Sequence, residues 1–516
     1  MAQLSAPPIR PAPSRSATPL PASFTLSEDP STREFDGGAV LLGGNPLRLF
    51  RISERAQRLV GQWRNGAAVG PRRSAQLLAR RLASGGAFTP QAPTSGATPG
   101  DVTVVVPVRD RPAQLDQLLR ALGGLACIVV DDASADAGAT KEIAERHGAS
   151  FIGLSSNVGP AGARNAGLAA VHGPLVAFVD SDCVPAEGWL GPLLGHFDDP
   201  LVAAVAPRIV AAAGPARFEV AGASLDRGPR GGPVRPGSRI PFVPSAALLV
   251  RADVATGPDL FDAALRGGED VDLVWRLDEA GWDVRYVPSS TVAHEGPATL
   301  KDFLVRRAFY GTTAAPLSRR HGKAVAPVHV SGWSLAVWGL LLARRPVLAL
   351  AALSASIVLL ARRLRGLVRD PVGVATHIAG AGAARSALPA LASLTRAWAP
   401  AFVLGLAFRR TRRAAALALV VPALHGWAAD RQGRGPVRAF AVHVADDVAY
   451  GTGVWVGCAR ERTLVPLVPR IAWRSRVWSA RYLRDQLQPV QPVQPVQPVQ
   501  AVQAVQPVQP VPAKKG

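Results

Sequence analysis

The chain has 516 residues, 48% of them apolar, and a net charge of +21. That length allows several domains and a sizeable core, and the composition excludes a disordered or collagen-like chain. Most of the excess charge is arginine within residues 331–486, whereas residues 101–330 sum to −4, the reverse of an enzyme whose active region grips nucleic acid.

Residues 1–36 are rich in proline, serine and alanine without apolar periodicity and read as a disordered lead. They contain no apolar leader segment, and Cys127, Cys183 and Cys458 are too scattered for a disulfide framework or a CxxC metal pattern, so the N-terminal half is expected in a reducing cytoplasm. Residues 37–92 look like a small separate unit. Two short strands at 39–42 and 47–52 flank a Gly-Gly-Asn-Pro turn, Ser53 caps a helix reaching about Trp63, and a second helix from Arg73 to about Ala83 ends at Gly85-Gly86. Two strands followed by two helices make a winged-helix-like module, which a plain packing domain would also explain. A DNA reader is disfavoured, because no recognition helix with Asn or Gln among its arginines stands out. Residues 93–100 are a linker by composition.

Residues 101–330 alternate strand and helix. Apolar runs at 102–107, 127–130, 150–154 and 176–179 predict buried strands, and helices are expected at 114–122, 141–147 and 165–171. Such alternation predicts an α/β domain with a parallel sheet covered on both faces, whose ligands bind beyond the carboxyl ends of the strands. Pro107-Val108-Arg109, Asp131-Asp132 and Asp180-Ser181-Asp182 all fall at such ends. Asp180 and Asp182, one residue apart, can share a face, and a divalent cation with oxygen ligands would relieve their repulsion; two solvated acids in a turn are the alternative. Further on, Gly267-Gly268-Glu269-Asp270 opens a helix, and a short strand at 284–288 precedes His294.

Residues 331–486 form an apolar, arginine-rich helical region. Candidate helices at 334–343, 346–361, 398–408 and 414–424 each fall short of the roughly 20 residues that a bilayer crossing needs. They read as short membrane helices or as interfacial helices with snorkelling arginines, and buried soluble helices look alike. Residues 436–486 mix tryptophan, tyrosine and arginine, which suits a membrane surface or packing back on the α/β domain. Residues 487–516 are a disordered tail dominated by Gln-Pro-Val repeats.

Five motifs occur in a familiar order: Val-Val-Val-Pro-Val-Arg-Asp-Arg-Pro at 104–112, Val-Val-Asp-Asp-Ala-Ser at 129–134, Asn-Val-Gly-Pro-Ala-Gly-Ala-Arg-Asn at 157–165, Val-Asp-Ser-Asp at 179–182 and Gly-Gly-Glu-Asp at 267–270. Together they resemble the family-two inverting glycosyltransferases. The resemblance implies a GT-A (Rossmann-like) fold, a nucleotide-sugar donor and Mg²⁺ or Mn²⁺. It places donor contacts at Pro107, Arg109, Asp132, Arg164 and Asp180, metal ligands at Asp180, Asp182 and His294, and the catalytic base at Asp270. Each position also has a structural reading: Asp132 as a turn cap, Arg164 as the partner of a strand-end acid, Asp270 as an acid in a helix's first turn, and His294 as a packed histidine. No Arg-Trp pair occurs in the chain, unlike the processive polysaccharide synthases of the family, so one or a few sugars are expected per acceptor.

The small unit at 37–92 resembles the PqqD-like peptide-recognition modules. Joined to such a transferase, and with the Leu-Leu-Gly-Gly-Asn-Pro-Leu-Arg-Leu-Phe-Arg-Ile stretch at 41–52 and Ala-His-Glu-Gly-Pro at 293–297, it resembles the glycosyltransferases of the mycofactocin system. That resemblance implies UDP-glucose as donor, a peptide-derived acceptor, and no nucleic-acid partner. With the apolar C-terminal region it suggests the cytoplasmic face of the cell membrane. A transferase for a cell-wall or lipid-linked glycan, and an inactive membrane-anchored peptide scaffold, remain the alternatives.

Overall fold

The computed structural model describes residues 6–44, 46–93, 96–212, 225–429 and 435–472. The expected Gln-Pro-Val tail lies outside the described residues.

The central feature is a nine-stranded mixed sheet. Its spatial order is Cys183–Pro185, Asp283–His294, Val202–Ala211, Ala247–Arg251, Leu175–Val179, Val102–Val108, Cys127–Asp131 and Ser150–Gly153, with Gly232–Pro233 paired alongside Asp283–His294. The last four strands in that order, Leu175–Val179 to Ser150–Gly153, run parallel, as the sequence predicts. Beyond Leu175–Val179 the sheet turns mixed: Ala247–Arg251 is antiparallel to both its neighbours, while Asp283–His294 is parallel to Val202–Ala211. The valine run at 102–108 is continuous because both faces are covered. Val104, Val106 and Val108 pack with Leu115 and Leu118 of the helix Pro112–Leu122, whereas Val105 points the other way, toward Phe178, Leu273 and Trp275. Pro107 is tolerated in this central strand because pairing with Leu175–Val179 stops at Val105, so no ladder bond is lost on that side.

The predicted lead at 1–36 is corrected by the structure. Residues 6–36 are built into the molecule: Leu20 and Phe24 are fully buried, and Thr25–Glu28 pairs with Phe88–Gln91. Arg10 and Ala12 donate backbone bonds to the carbonyls of Val254 and Ala280, and the Trp282 indole donates to the Arg10 carbonyl at 2.6 Å. A stretch without periodicity can still be ordered when each backbone group finds a partner on a preformed surface. The small unit therefore extends outside 37–92. Its hairpin Val40–Gly43/Arg48–Arg51 gains a third strand, Arg33–Phe35, and its helices are Glu54–Arg64, capped by Ser53, and Arg73–Gly85, closed by left-handed Gly86.

The C-terminal region is more helical than its apolar runs suggest. Its helices are Gly332–Leu342, Pro346–Leu364, Pro371–Arg396, Ala399–Ala407, Arg412–Ala429 and Pro436–Glu461. Pro346–Leu364 is long and apolar enough to cross a bilayer by length and composition; Pro371–Arg396 and Ala399–Ala407 meet the same test together across a 91° bend. Helices Pro346–Leu364 and Pro371–Arg396 cover the outer face of the small sheet through Val40, Leu42, Leu49, Leu364, Val374 and Ile378. Pro436–Glu461 packs back along the helix Leu300–Thr312, with Asp446 buried and held by Arg307 and, at 2.6 Å, by Arg396.

Candidate active site

The site forms where the strands end. Leu175–Val179 stops at Asp180, whose N–H bonds the Ala246 carbonyl at 2.9 Å. The chain then turns through Asp182 into Cys183–Pro185, which pairs with the far end of Asp283–His294 in the register Cys183 to His294. That register sets His294 beside Asp182, with Nε2 3.6 Å from Oδ1. His294 is buried, and its Nδ1 has no hydrogen-bond partner among the described residues. The second oxygen of Asp182 accepts from Arg111, a residue that the sequence reading did not single out although it lies in the same motif as Arg109.

Asp180 faces the other way. Its Oδ1 accepts from Arg164 at 2.6 Å, and the same buried guanidinium donates to Glu269 at 2.9 Å. Burial and the nearby Asp182 raise the Asp180 carboxyl above its ordinary range, while Arg164 works against the rise. Of the two roles open to Arg164 in the sequence, the structure shows the ion pairs: one arginine on the helix Gly159–Leu168 joins the strand-end acid to the Glu-Asp helix.

Asp132 is engaged as a cap. Its two oxygens accept the N–H groups of Val158 and Gly159 at 2.7 and 2.9 Å, at the start of that same helix. The preceding Asp131 is wholly buried. One of its oxygens accepts from Ser134 N–H, and the other has no partner among the described residues. Two non-glycine residues here adopt left-handed backbone, Asp110 (φ 53°) and Ala133 (φ 57°), and they are braced by bonds from Asp110 N–H to Ser134 and from Ala135 N–H to Asp110. For alanine that conformation costs about 1 kcal/mol or more. Pro107 lies at the end of its strand, and Arg109 is exposed, 3.5 Å from Asp110.

Asp270 opens the helix Glu269–Glu279, whose N-cap is left-handed Gly268. Its Oδ1 accepts from Val271 N–H at 2.7 Å. Burial, then the adjacent Glu269, pushes its carboxyl up to about 7. Asp270 and Asp180 both bear on Tyr310, whose phenol is raised first by burial and further by these two acids. Asp180 and Asp270, 90 positions apart in sequence, are thus brought near one another, with Arg164 bridging Asp180 to the adjacent Glu269. Asp272 is fully buried and held by Arg276 and Arg320, both at 2.7 Å, and by His321 at 3.0 Å. Burial alone would raise its carboxyl, but His321 and the two arginines bring it down to about 2.

Whether these residues suit a divalent cation is decided by their oxygen and nitrogen atoms. Among the described residues no group of three or more His, Cys, Asp or Glu side chains is arranged to hold a metal. Asp182 and His294, with the unpartnered imidazole nitrogen, make a pair, and Asp180 and Asp182 each have one oxygen on an arginine, Arg164 and Arg111. One or two carboxylates completed by diphosphate oxygens and water are the usual arrangement for Mg²⁺, so the residues fit a cation held largely by donor oxygens.

The model of the family described as glycosyl transferase family 2 matches residues 103–254, a span that includes the strand ends but not Asp270 or His294. Among solved structures, the mannosyltransferase PcManGT from Pyrobaculum calidifontis is 20% identical and covers 56% of this chain and 87% of its own, with TM-score 0.34. TarS 1–349 of S. aureus is 19% identical, covers 41% and 65%, and has TM-score 0.31. Both scores are too low to bear on ligands. The pre-mycofactocin glycosyltransferases of Mycobacterium tuberculosis strains H37Rv and CDC 1551 are each 40% identical over 475 residues, covering 88% of this chain and 99% of theirs. With the length of those relatives matched almost end to end and the family-2 domain in place, the chain belongs to the pre-mycofactocin glycosyltransferase family.

Proposed function

We propose that this glycosyltransferase moves glucose from UDP-glucose, with inversion at the anomeric carbon, onto the peptide-derived precursor of mycofactocin. The observation that carries the reading is the half-buried Asp270 carboxyl, pushed up to about 7, beside Glu269, which Arg164 joins to Asp180. An inverting transfer needs one carboxylate to take the proton from the acceptor hydroxyl as it attacks, and a base is most effective when its pKa lies near the working pH. Asp270 takes that role. Glu269 stays paired with Arg164, which leaves Asp270 as the carboxylate free to meet the acceptor. Asp182 and His294 would hold Mg²⁺ or Mn²⁺, which when bound supplies a Lewis acid for the departing diphosphate. Arg111, on Asp182, and exposed Arg109 add positive charge on the donor side. The capping bonds of Asp132 use one lone pair on each oxygen, so the carboxylate keeps acceptor capacity for a ribose hydroxyl or a uracil N–H.

The same proposal puts the enzyme at the cytoplasmic face of the membrane. Val347, Leu348, Leu350, Val403, Leu404 and Phe408 are exposed on the C-terminal helices, and Arg344, Arg345, Arg409 and Arg410 flank them, the pattern of an apolar surface met by anionic headgroups.

The test is incubation of purified enzyme with the precursor and either UDP-glucose or another nucleotide sugar, read by mass. Asp270→Asn is expected to retain UDP-glucose binding and lose transfer by at least about 100-fold; transfer at the wild-type rate would remove Asp270 as the base. A mass increment only from another donor would replace glucose.

A further inference from the structure

A cavity of about 320 Å³ lies on the seam between the N-terminal unit and the sheet domain. One wall comes from the ribbon Thr25–Glu28/Phe88–Gln91, the other from Arg235, Arg239 and the first residues of Asp283–His294. It lies at the opposite end of that strand from His294, roughly 25 Å away at about 3.3 Å per residue, and so is separate from the transfer site.

Its charge is unbalanced. Arg235 is only 9% exposed, its Nε has no hydrogen-bond partner, and among the described residues no carboxylate pairs with its guanidinium. Burial accordingly lowers its pKa, against the more distant pull of Asp283 and Asp278. The acids of the cavity wall are already committed. Asp283 bonds Arg80 at 3.2 Å and Arg15 at 3.3 Å, Glu28 is paired with Arg64, and Asp29 accepts from Ser31 N–H and Ser31 Oγ on one oxygen while the other lies 4.0 Å from Arg239. Arg239, whose charge is met in part by Asp29, is fixed on the wall by its bonds to the carbonyls of Arg230 and Gly231 at 2.9 and 2.7 Å, and Arg230 adds a further cation at the rim. A buried guanidinium without a counter-charge is costly, whereas its planar fork matches a carboxylate or phosphate.

We infer that this cavity is a binding site for a small oxyanion, a carboxylate or phosphate group, with Arg235 as its principal contact and Arg230 and Arg239 completing it. Since the walls belong to both units, the bound anion clamps the N-terminal unit onto the transferase domain. Ligand binding to the folded state then raises stability by mass action.

The experiment uses the full chain at constant ionic strength in chloride buffer. Melting temperature and calorimetric titration are followed with inorganic phosphate, with N-acetylglycine, and with its neutral amide as control. Wild type is expected to show a saturable rise with phosphate or N-acetylglycine and none with the amide; which anion acts distinguishes a phosphate source from a carboxylate one. Arg235→Met is expected to melt no lower than wild type without anion, and to lose at least about tenfold in anion affinity. Should that variant fail to fold, Arg230→Ala, at the exposed rim, is expected to fold and bind more weakly. An equal rise in wild type and Arg235→Met, unchanged affinity in Arg230→Ala, or no saturable rise with either anion would overturn the site.

Discussion

Asp270 and Asp272 lie two positions apart on one helix and are tuned in opposite directions, for reasons visible in their partners. Asp272 receives two guanidinia and an imidazole, and its carboxyl falls to about 2. Its contribution to stability is therefore complete above the ordinary carboxylate pKa near 4 and is lost as pH falls toward 2. Asp272→Asn is expected to cost about 3–5 kcal/mol at neutral pH, because it leaves the Arg276 and Arg320 charges without their counter-charge; chemical denaturation measures this. Asp270 is raised to about 7 by burial and by the charge of Glu269, which outweigh the pull of Arg164 and Arg227. The folded protein holds that proton more tightly than the unfolded chain, so ionisation costs stability as pH rises from about 4 through 7. Asp270→Asn should thus raise the melting temperature most at pH 8, less at pH 5 and little at pH 4 or below, while abolishing transfer. The acid limb of the wild-type rate profile should likewise fall off below about pH 7. Both roles share the acidic first turn in the sequence; Arg276 one turn along the same helix and Arg320 and His321 brought in from Ala314–His321 separate them.

At the scale of elements, the C-terminal helices show where pattern reading stops. The apolar helices at 334–343 and 346–361 were expected within a few residues of Gly332–Leu342 and Pro346–Leu364. Pro371–Arg396 was not, because its alanine, glycine and serine content carries little apolar signal. For Pro436–Glu461 the sequence allows a membrane surface or packing on the α/β domain, and its small residues seat it on the helix Leu300–Thr312. Gly453 lies against the backbone of Ala308 and Gly311, and Gly457 against Thr312, so that a Cβ at either would meet main chain rather than a side chain that can move. Gly453→Val is expected to push this helix off Leu300–Thr312 and destabilise the protein by about 1–3 kcal/mol or more. Since Tyr310 lies on the same helix and faces Asp270, transfer should weaken with it; thermal melts and rate assays of one preparation report both.

The whole molecule joins three units by two kinds of contact. The N-terminal unit meets the sheet domain through a buried charge cluster, in which Arg80 and Arg285 both reach Asp199. It meets the C-terminal helices through apolar packing of its small sheet. What is left uncovered is apolar surface edged with arginine. The expected consequence is flotation with vesicles containing anionic lipid, weaker with neutral vesicles and reduced by salt. Arg409→Glu together with Arg410→Glu should lower vesicle binding by at least about tenfold, at roughly 1 kcal/mol per charge. Equal flotation of the double variant would exclude an electrostatic contribution.

The strand ends bearing Pro107, Asp132, Asp180 and Asp182, the Glu-Asp helix and the family were legible in the sequence by itself. The reason is that a parallel sheet buried on both faces writes itself as apolar runs, and a site at strand ends must lie just after them. Only the tertiary structure decided the pairing of Asp180 with Arg164, the capping by Asp132, the meeting of Asp182 with His294 and the seating of residues 6–36. These rest on strand register and on the packing of segments far apart in the chain, and neither leaves a local pattern of hydrophobicity or propensity to find.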